Sequence, residues 1–166
     1  MNLALQQAHK SLGNTKSNPA VGCIITKNSH VISAGYTSIY GRPHAEYNAI
    51  NLSKTNLKDA ELYVTLEPCS HYGKTPPCVQ AIIKKKIKRV FFSVKDPDIR
   101  SFNKSKKKFN KSKIIVAEGI NGTQIRRFYK SYYKLKSDSL PFISAKMAIT
   151  KDFFSINKKS KWITNE

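Results

Sequence analysis

The apolar and polar positions of the chain divide it into alternating helical and extended segments. Residues 2–12 form an amphipathic pattern stopped by Gly13-Asn14, which predicts an opening helix. Val21–Thr26 and Val31–Tyr36 are apolar, β-prone runs, and Asn28-Ser29 between them predicts a hairpin turn. After Gly41-Arg42-Pro43, a helix is expected from about His44 to Leu52, followed by a strand over Glu61–Leu66 and a helix over Pro77–Lys85. Lys88–Val94, rich in β-branched and aromatic residues, and Lys113–Ala117 read as strands, and Asn121–Lys136 as one helix. Strands alternating with helices after an opening hairpin imply an α/β layered structure whose sheet is largely parallel. No internal repeat is visible.

The 166 residues suffice for one domain with a single sizeable core. No stretch of 18 apolar residues occurs, so no membrane span is expected, and the first ten residues lack the charged and apolar regions of a signal peptide. A cytoplasmic location follows as an expectation. The formal charge of +20, from 30 Lys+Arg against 10 Asp+Glu, would suit nucleic acid or another polyanion. Most of the cations are lysines in a chain also heavy in Asn and Ile, the drift of an A+T-rich genome. Lys84-Lys85-Lys86 and Lys104–Lys108 therefore read as a solvated face and a polar loop, with no interleaved aromatic platform for specific nucleic-acid binding. Three cysteines fit two metal ligands and one spare better than a disulfide framework, and Cys23, within an apolar strand, is the spare.

His44-Ala45-Glu46, Pro68-Cys69 and Cys78 supply one imidazole, two thiols and one further carboxylate. Catalytic zinc takes three protein ligands and leaves a fourth position to water, whose pKa falls to about 7. The carboxylate of a His-x-Glu pair reaches that water without occupying the metal. His-x-Glu followed by Pro-Cys-x-x-Cys marks zinc deaminases of nucleobases, with the Glu as acid and base. Here the first half matches, whereas eight residues, Ser70 to Pro77, separate the two cysteines. The predicted elements put His44 and Glu46 at one helix start, Cys78 at the next and Cys69 just past a strand end. Helix N-termini favour thiolates, so these ligands suit one zinc ion per chain. A closed structural site would need a fourth ligand, for which His71 is the candidate, and Glu46 by itself would read as an ordinary first-turn acid. Taken together, the set points to hydrolysis at a ring carbon bearing an exocyclic amine, with Glu46 moving the protons.

The long segment Thr65–Cys78, with Asn18–Cys23 and Gly41–Glu46, resembles the pyrimidine deaminase of riboflavin biosynthesis, the N-terminal half of a bifunctional deaminase/reductase in the cytidine-deaminase-like superfamily. The resemblance spans residues 1–140. It implies a three-layer α/β/α fold with a mixed, largely parallel central sheet. It also implies deamination of a phosphorylated pyrimidine, 2,5-diamino-6-(5-phosphoribosylamino)pyrimidin-4(3H)-one. By the same resemblance Asn18 lies near the pyrimidine, His71, Lys74 and Thr75 belong to a loop closing over the substrate, and Asp96 contacts the sugar. The bland readings are a turn residue for Asn18 and a solvated surface cation for Lys74. Asp98 stands where the family has Asn, and lysine-rich Ser101–Ser112 replaces a glycine-bearing continuation. Pro141–Ala148 and Ser160–Thr164 resemble the opening of the family's reductase domain, although Phe153-Phe154 replace a Gly-Arg pair after Asp152. The 26 residues of 141–166 are too few for a nucleotide-binding domain, so a separate reductase polypeptide is expected, with no NADPH-dependent reduction by this chain. Family members self-associate, and a homo-oligomer is expected. Two alternatives are a deaminase of the tRNA adenosine type, whose short Pro-Cys-x-x-Cys the long loop disfavours, and a non-catalytic partner of the reductase.

Overall fold

A computed structural model describes residues 1–153. Helix α1 (Asn2–His9) precedes the hairpin of β1 (Gly22–Lys27) and β2 (His30–Tyr36). Asn28 and Ser29, with φ of 49° and 63°, make the two-residue turn whose twist matches that of paired strands. Then follow α2 (Ala45–Leu52), β3 (Glu61–Leu66), α3 (Cys78–Lys84), β4 (Arg89–Val94), α4 (Ser105–Lys111), β5 (Ile115–Glu118), α5 (Gly122–Phe128) and α6 (Lys130–Asp138). The five strands are ordered β2-β1-β3-β4-β5. β1 is antiparallel to both its neighbours, and β3, β4 and β5 run parallel, giving the mixed sheet expected.

Helices cover both faces of the sheet. α2, α3 and α4 adjoin one another on one side. On the other, α1 and α5 are tied together by the His9–Phe128 ring contact at 4.7 Å and by a hydrogen bond from Asn121 to Asn2. Between them Cys23, Ile25, Leu62, Val64, Val79, Ile82, Val90 and Phe92 are buried, with Phe109 and Ile125 closing the ends. α2 lies very close to β2. A Cβ on Gly35 would stand 2.4 Å from the Ala45 carbonyl and 2.5 Å from the Ala49 nitrogen, so only glycine lets this helix, and the residues at its start, sit where they do.

Four expectations need correction. Ser101–Ser112 is not merely a polar loop: it contains α4, whose Ser105 and Phe109, four residues apart, point inward and are fully buried. Its lysines follow the solvated reading, and lysine is itself a good helix former. The helix expected over 121–136 is two, meeting at Tyr129, whose buried ring is held by hydrogen bonds to Thr65 and the Ala20 carbonyl. The first helix stops at His9, and the last strand is displaced to Ile115–Glu118 because Lys113 adopts a φ of 59°. Beyond Asp138 the described chain carries no further helix or strand. The segment Ser160–Thr164 lies outside the described residues.

Candidate active site and metal centre

β3 and β4 end, and antiparallel β1 begins, beside the starts of α2 and α3, and the chemistry gathers there. His44 is the extended residue before α2, Glu46 lies in the first turn of that helix, and Cys78 opens α3. Cys69 follows β3 after Glu67-Pro68 and accepts a hydrogen bond from the Cys78 backbone N–H at 3.2 Å, so the helix start is aimed at its sulfur. The Nδ1 of His44 is 3.6 Å from Cys69 Sγ and 3.4 Å from Cys78 Sγ, and all three donor atoms lie within 4.8 Å of one another. A tetrahedral zinc ion with Zn–S of about 2.3 Å and Zn–N of about 2.0 Å needs nitrogen–sulfur separations of about 3.5 Å. The donor set and its spacing therefore fit zinc, and these three residues form a candidate zinc site. His71 does not join them. Its Nδ1 pairs with Ser101 Oγ at 2.9 Å, so among the described residues the cluster has three protein ligands rather than four.

The electrostatics follow from burial and mutual contact. A hydrogen bond from Cys78, opposed by burial and helped by His44, lowers the Cys69 thiol to about 4. Sharing that bond with Cys69, together with burial, raises the Cys78 thiol. Burial works against a charged His44, but its hydrogen bond to Cys69 and the negative charge of Glu46 outweigh it and raise the imidazole. Glu46 is only 4% exposed, and burial, reinforced by the Cys69 charge, lifts its carboxyl to about 7. A carboxyl in that range both accepts and returns a proton near neutral pH.

The site opens into a cleft of roughly 590 Å³, its mouth included, with His44, Glu46 and Cys69 among the lining residues. Asn18, His71 and Asp96 also line it. Asn18 is pressed against Gly41, where φ is +88° and a Cβ would lie 2.2 Å from the Asn18 amide nitrogen, so a side chain at 41 would drive Asn18 out of place. Asp96 is 7% exposed, receives the Tyr132 hydroxyl and the Asp98 backbone N–H at 3.0 Å each, and is raised by burial to about 6. Two residues expected over the substrate, Lys74 and Thr75, are not among those lining the cleft. Thr75 borders a neighbouring hollow beside Pro43 and Cys78, where its hydroxyl accepts a hydrogen bond from Arg42 at 2.6 Å.

The cleft also contains residues that sequence reasoning did not assign to it: Arg42, Glu67, Asp98, Arg100, Tyr132 and Lys136. Glu67 is 3% exposed and gathers the backbone N–H groups of Asp96, Asn103 and Ser105 and the Ser105 hydroxyl, at 2.8 to 3.3 Å. One buried carboxylate thus joins β3, the Asp96–Arg100 loop and the start of α4. An acid adjoining Pro68-Cys69 was the available signal. Tyr132 and Lys136 gave none, because they arrive on a lysine-rich helix far away in sequence.

Comparison with known proteins agrees with this geometry. Along its whole length the chain is 39% identical to the riboflavin biosynthesis protein RibD of Bacillus amyloliquefaciens and 38% identical to that of Aquifex aeolicus, covering 45% and 47% of those proteins. It thus spans about half the length of the curated relatives it matches. A crystal structure of a diaminohydroxyphosphoribosylaminopyrimidine deaminase/5-amino-6-(5-phosphoribosylamino)uracil reductase from Thermotoga maritima superposes with a TM-score of 0.92 at 36% identity, over 99% of this chain and 48% of that one. RibD of Acinetobacter baumannii gives 0.88 at 33% identity, over 99% of this chain and 46% of that one. Residues 1–94 match the model of the cytidine and deoxycytidylate deaminase zinc-binding region, and with its metal cluster and cleft in place the chain belongs to that family.

Proposed function

We propose that this chain carries out the deamination step of riboflavin biosynthesis. In that reaction 2,5-diamino-6-(5-phosphoribosylamino)pyrimidin-4(3H)-one loses its 2-amino group by hydrolysis, giving 5-amino-6-(5-phosphoribosylamino)uracil and ammonia. The observation that carries this reading is the buried carboxyl of Glu46 lining a cleft beside the His44, Cys69 and Cys78 donor cluster. The sequence relationship to RibD proteins along the whole chain supports the choice of substrate.

His44, Cys69 and Cys78 would hold zinc, which when bound makes a water molecule nucleophilic near neutral pH. The rest of the chemistry belongs to side chains of this chain. Glu46 takes the proton released as water adds to the ring carbon bearing the amine. It delivers that proton to the adjacent ring nitrogen, then takes the remaining proton of the added hydroxyl as the carbonyl forms and passes it to the departing amine, so one carboxyl serves as base and acid in turn. Asn18, with one amide acceptor and two donors, suits a pyrimidine edge. His71 and Asp96, which line the same cleft, are suited to the ribose end of the substrate. The decisive experiment is ammonia release from the diaminopyrimidine ribotide by zinc-loaded protein beside Glu46→Gln, with zinc content measured in both. The wild type should turn over, and the variant should keep its zinc and lose at least about 100-fold in kcat. Full activity in the variant would overturn the role of Glu46, and no release by zinc-loaded wild type would overturn the substrate.

A further inference from the structure

The cleft contains more cationic side chains than its floor chemistry uses, and two of them are organised around one acid. The Asp98 carboxylate, whose side chain is only 11% exposed, accepts both the Nε–H of Arg100 at 2.8 Å and its Nη2–H at 2.6 Å. Lys136 of α6 reaches the same carboxylate at 3.5 Å, and the Arg100 backbone N–H donates to it at 3.0 Å. Asp98 is itself anchored through its N–H to buried Asp96, and the Asp96 N–H is held by Glu67. Freely solvated surface pairs are seldom built this way, because ordering two long side chains costs as much as the pairing returns. Here the acid is shielded, and its backbone is tied to the end of β3.

The arrangement leaves donors unsatisfied in a defined place. Of the five N–H groups of a guanidinium, two are directed at Asp98, so three remain, and the Lys136 ammonium keeps two of its three. Both residues line the same cleft as Glu46. Arg100 also lies close enough to His71 that its charge, added to burial, lowers that imidazole. Asp98 offsets one of the two positive charges, so the three side chains retain a net charge of about +1, and Arg42 is a further cation in a cleft whose lining also holds the acids Glu46, Glu67 and Asp96. A fixed guanidinium edge with an adjacent ammonium is suited to the oxygens of a phosphate group.

We infer that Arg100 and Lys136, gathered by Asp98, form the phosphate subsite of this chain. The assignment rests on the reading above, in which the substrate is a phosphorylated riboside.

The test is calorimetric titration of zinc-loaded protein with ribose 5-phosphate and with ribose at fixed, moderate salt. Arg100→Gln, Lys136→Gln and the surface control Lys107→Gln are compared with the wild type, and melting temperatures verify folding. The wild type should bind ribose 5-phosphate and not ribose. Arg100→Gln and Lys136→Gln should each weaken binding by about 10-fold, and Lys107→Gln should not. Undiminished binding in both cleft variants overturns the inference, as does an equal loss in Lys107→Gln, which would mark the attraction as diffuse. Arg100→Lys, which keeps charge but not the fork, should fall between Arg100→Gln and the wild type. Because the readout is binding, it decides the subsite even if no ammonia is released, an outcome that would count against the deaminase reading alone.

Discussion

Asp96 lies within a hydrogen-bonded cage, and replacing it with Asn tests how costly its charge is there. Burial raises its carboxyl from the ordinary 3.8 to about 6. At 1.36 kcal/mol per pH unit, this rise corresponds to about 3 kcal/mol. The sign is set by proton binding. Between pH 3.8 and 6 the folded protein holds a proton that the unfolded chain releases, so this stabilising contribution is complete below about pH 4 and is lost as pH rises through 6. At pH 8 the wild type therefore carries a charge that the fold resists. Asparagine keeps an oxygen to accept the Tyr132 hydroxyl and the Asp98 N–H, and it does not ionise. Urea unfolding of zinc-loaded wild type and Asp96→Asn should give a stability difference that shifts in favour of the variant by about 2 kcal/mol between pH 4.5 and 8, with most of the change complete by pH 7. Comparing the two proteins at each pH cancels the pH dependence of the zinc ligands. A difference that stays constant over this range would show that Asp96 is ionised throughout and would remove the account of its environment.

Other perturbations test the scaffold around the cleft. Glu67→Ala removes the acceptor for three backbone N–H groups and one hydroxyl, and should destabilise by roughly 3 kcal/mol or more; hydrogen exchange should show protection lost first over residues 96–105. Phe109→Ala empties a fully buried position beneath α4 and should cost about 3–5 kcal/mol in denaturant unfolding, an effect that a merely polar loop would not show. Gly35→Ala forces α2 away from β2 and should lower zinc affinity and melting temperature together, whereas unaltered zinc binding would mean that the helix start tolerates the displacement. Chelation of zinc should lower the melting temperature of the wild type by more than that of Cys78→Ser, measured by thermal denaturation with and without chelator.

The floor of the site was legible in the sequence because its residues are locally coded. His44 and Glu46 are two positions apart, Cys69 lies just past the end of a strand, and Cys78 opens a helix after two prolines, so spacing alone brought four groups toward one point. The sheet was legible for the same reason: each strand from β1 to β4 is an apolar run with clear turn chemistry around it. α4 escaped notice because its inward face consists of only Ser105 and Phe109, too short a stripe to show a helical period among lysines. The division at Tyr129 was hidden because its cause is tertiary. Hydrogen bonds to Thr65 and Ala20 hold that ring, and neither partner is near it in sequence.

The same distinction governs the walls of the cleft. A composition of +20 gives every lysine the same meaning, and only folding separates Lys136, which meets Asp98 inside the cleft wall, from Lys107, which faces solvent on α4. Glu67 makes that separation possible. By gathering the Asp96 N–H and the start of α4 onto the end of β3, it fixes the loop that presents Asp98, and Asp98 in turn collects one cation from its own loop and one from α6. The cleft wall therefore depends on contacts 36 to 38 residues apart in sequence. Changes in the lysine-rich segment after Asp98 therefore act first on recognition at the mouth and reach the donor cluster of the floor through the Ser101–His71 and Lys108–Ser70 hydrogen bonds to the loop after Cys69.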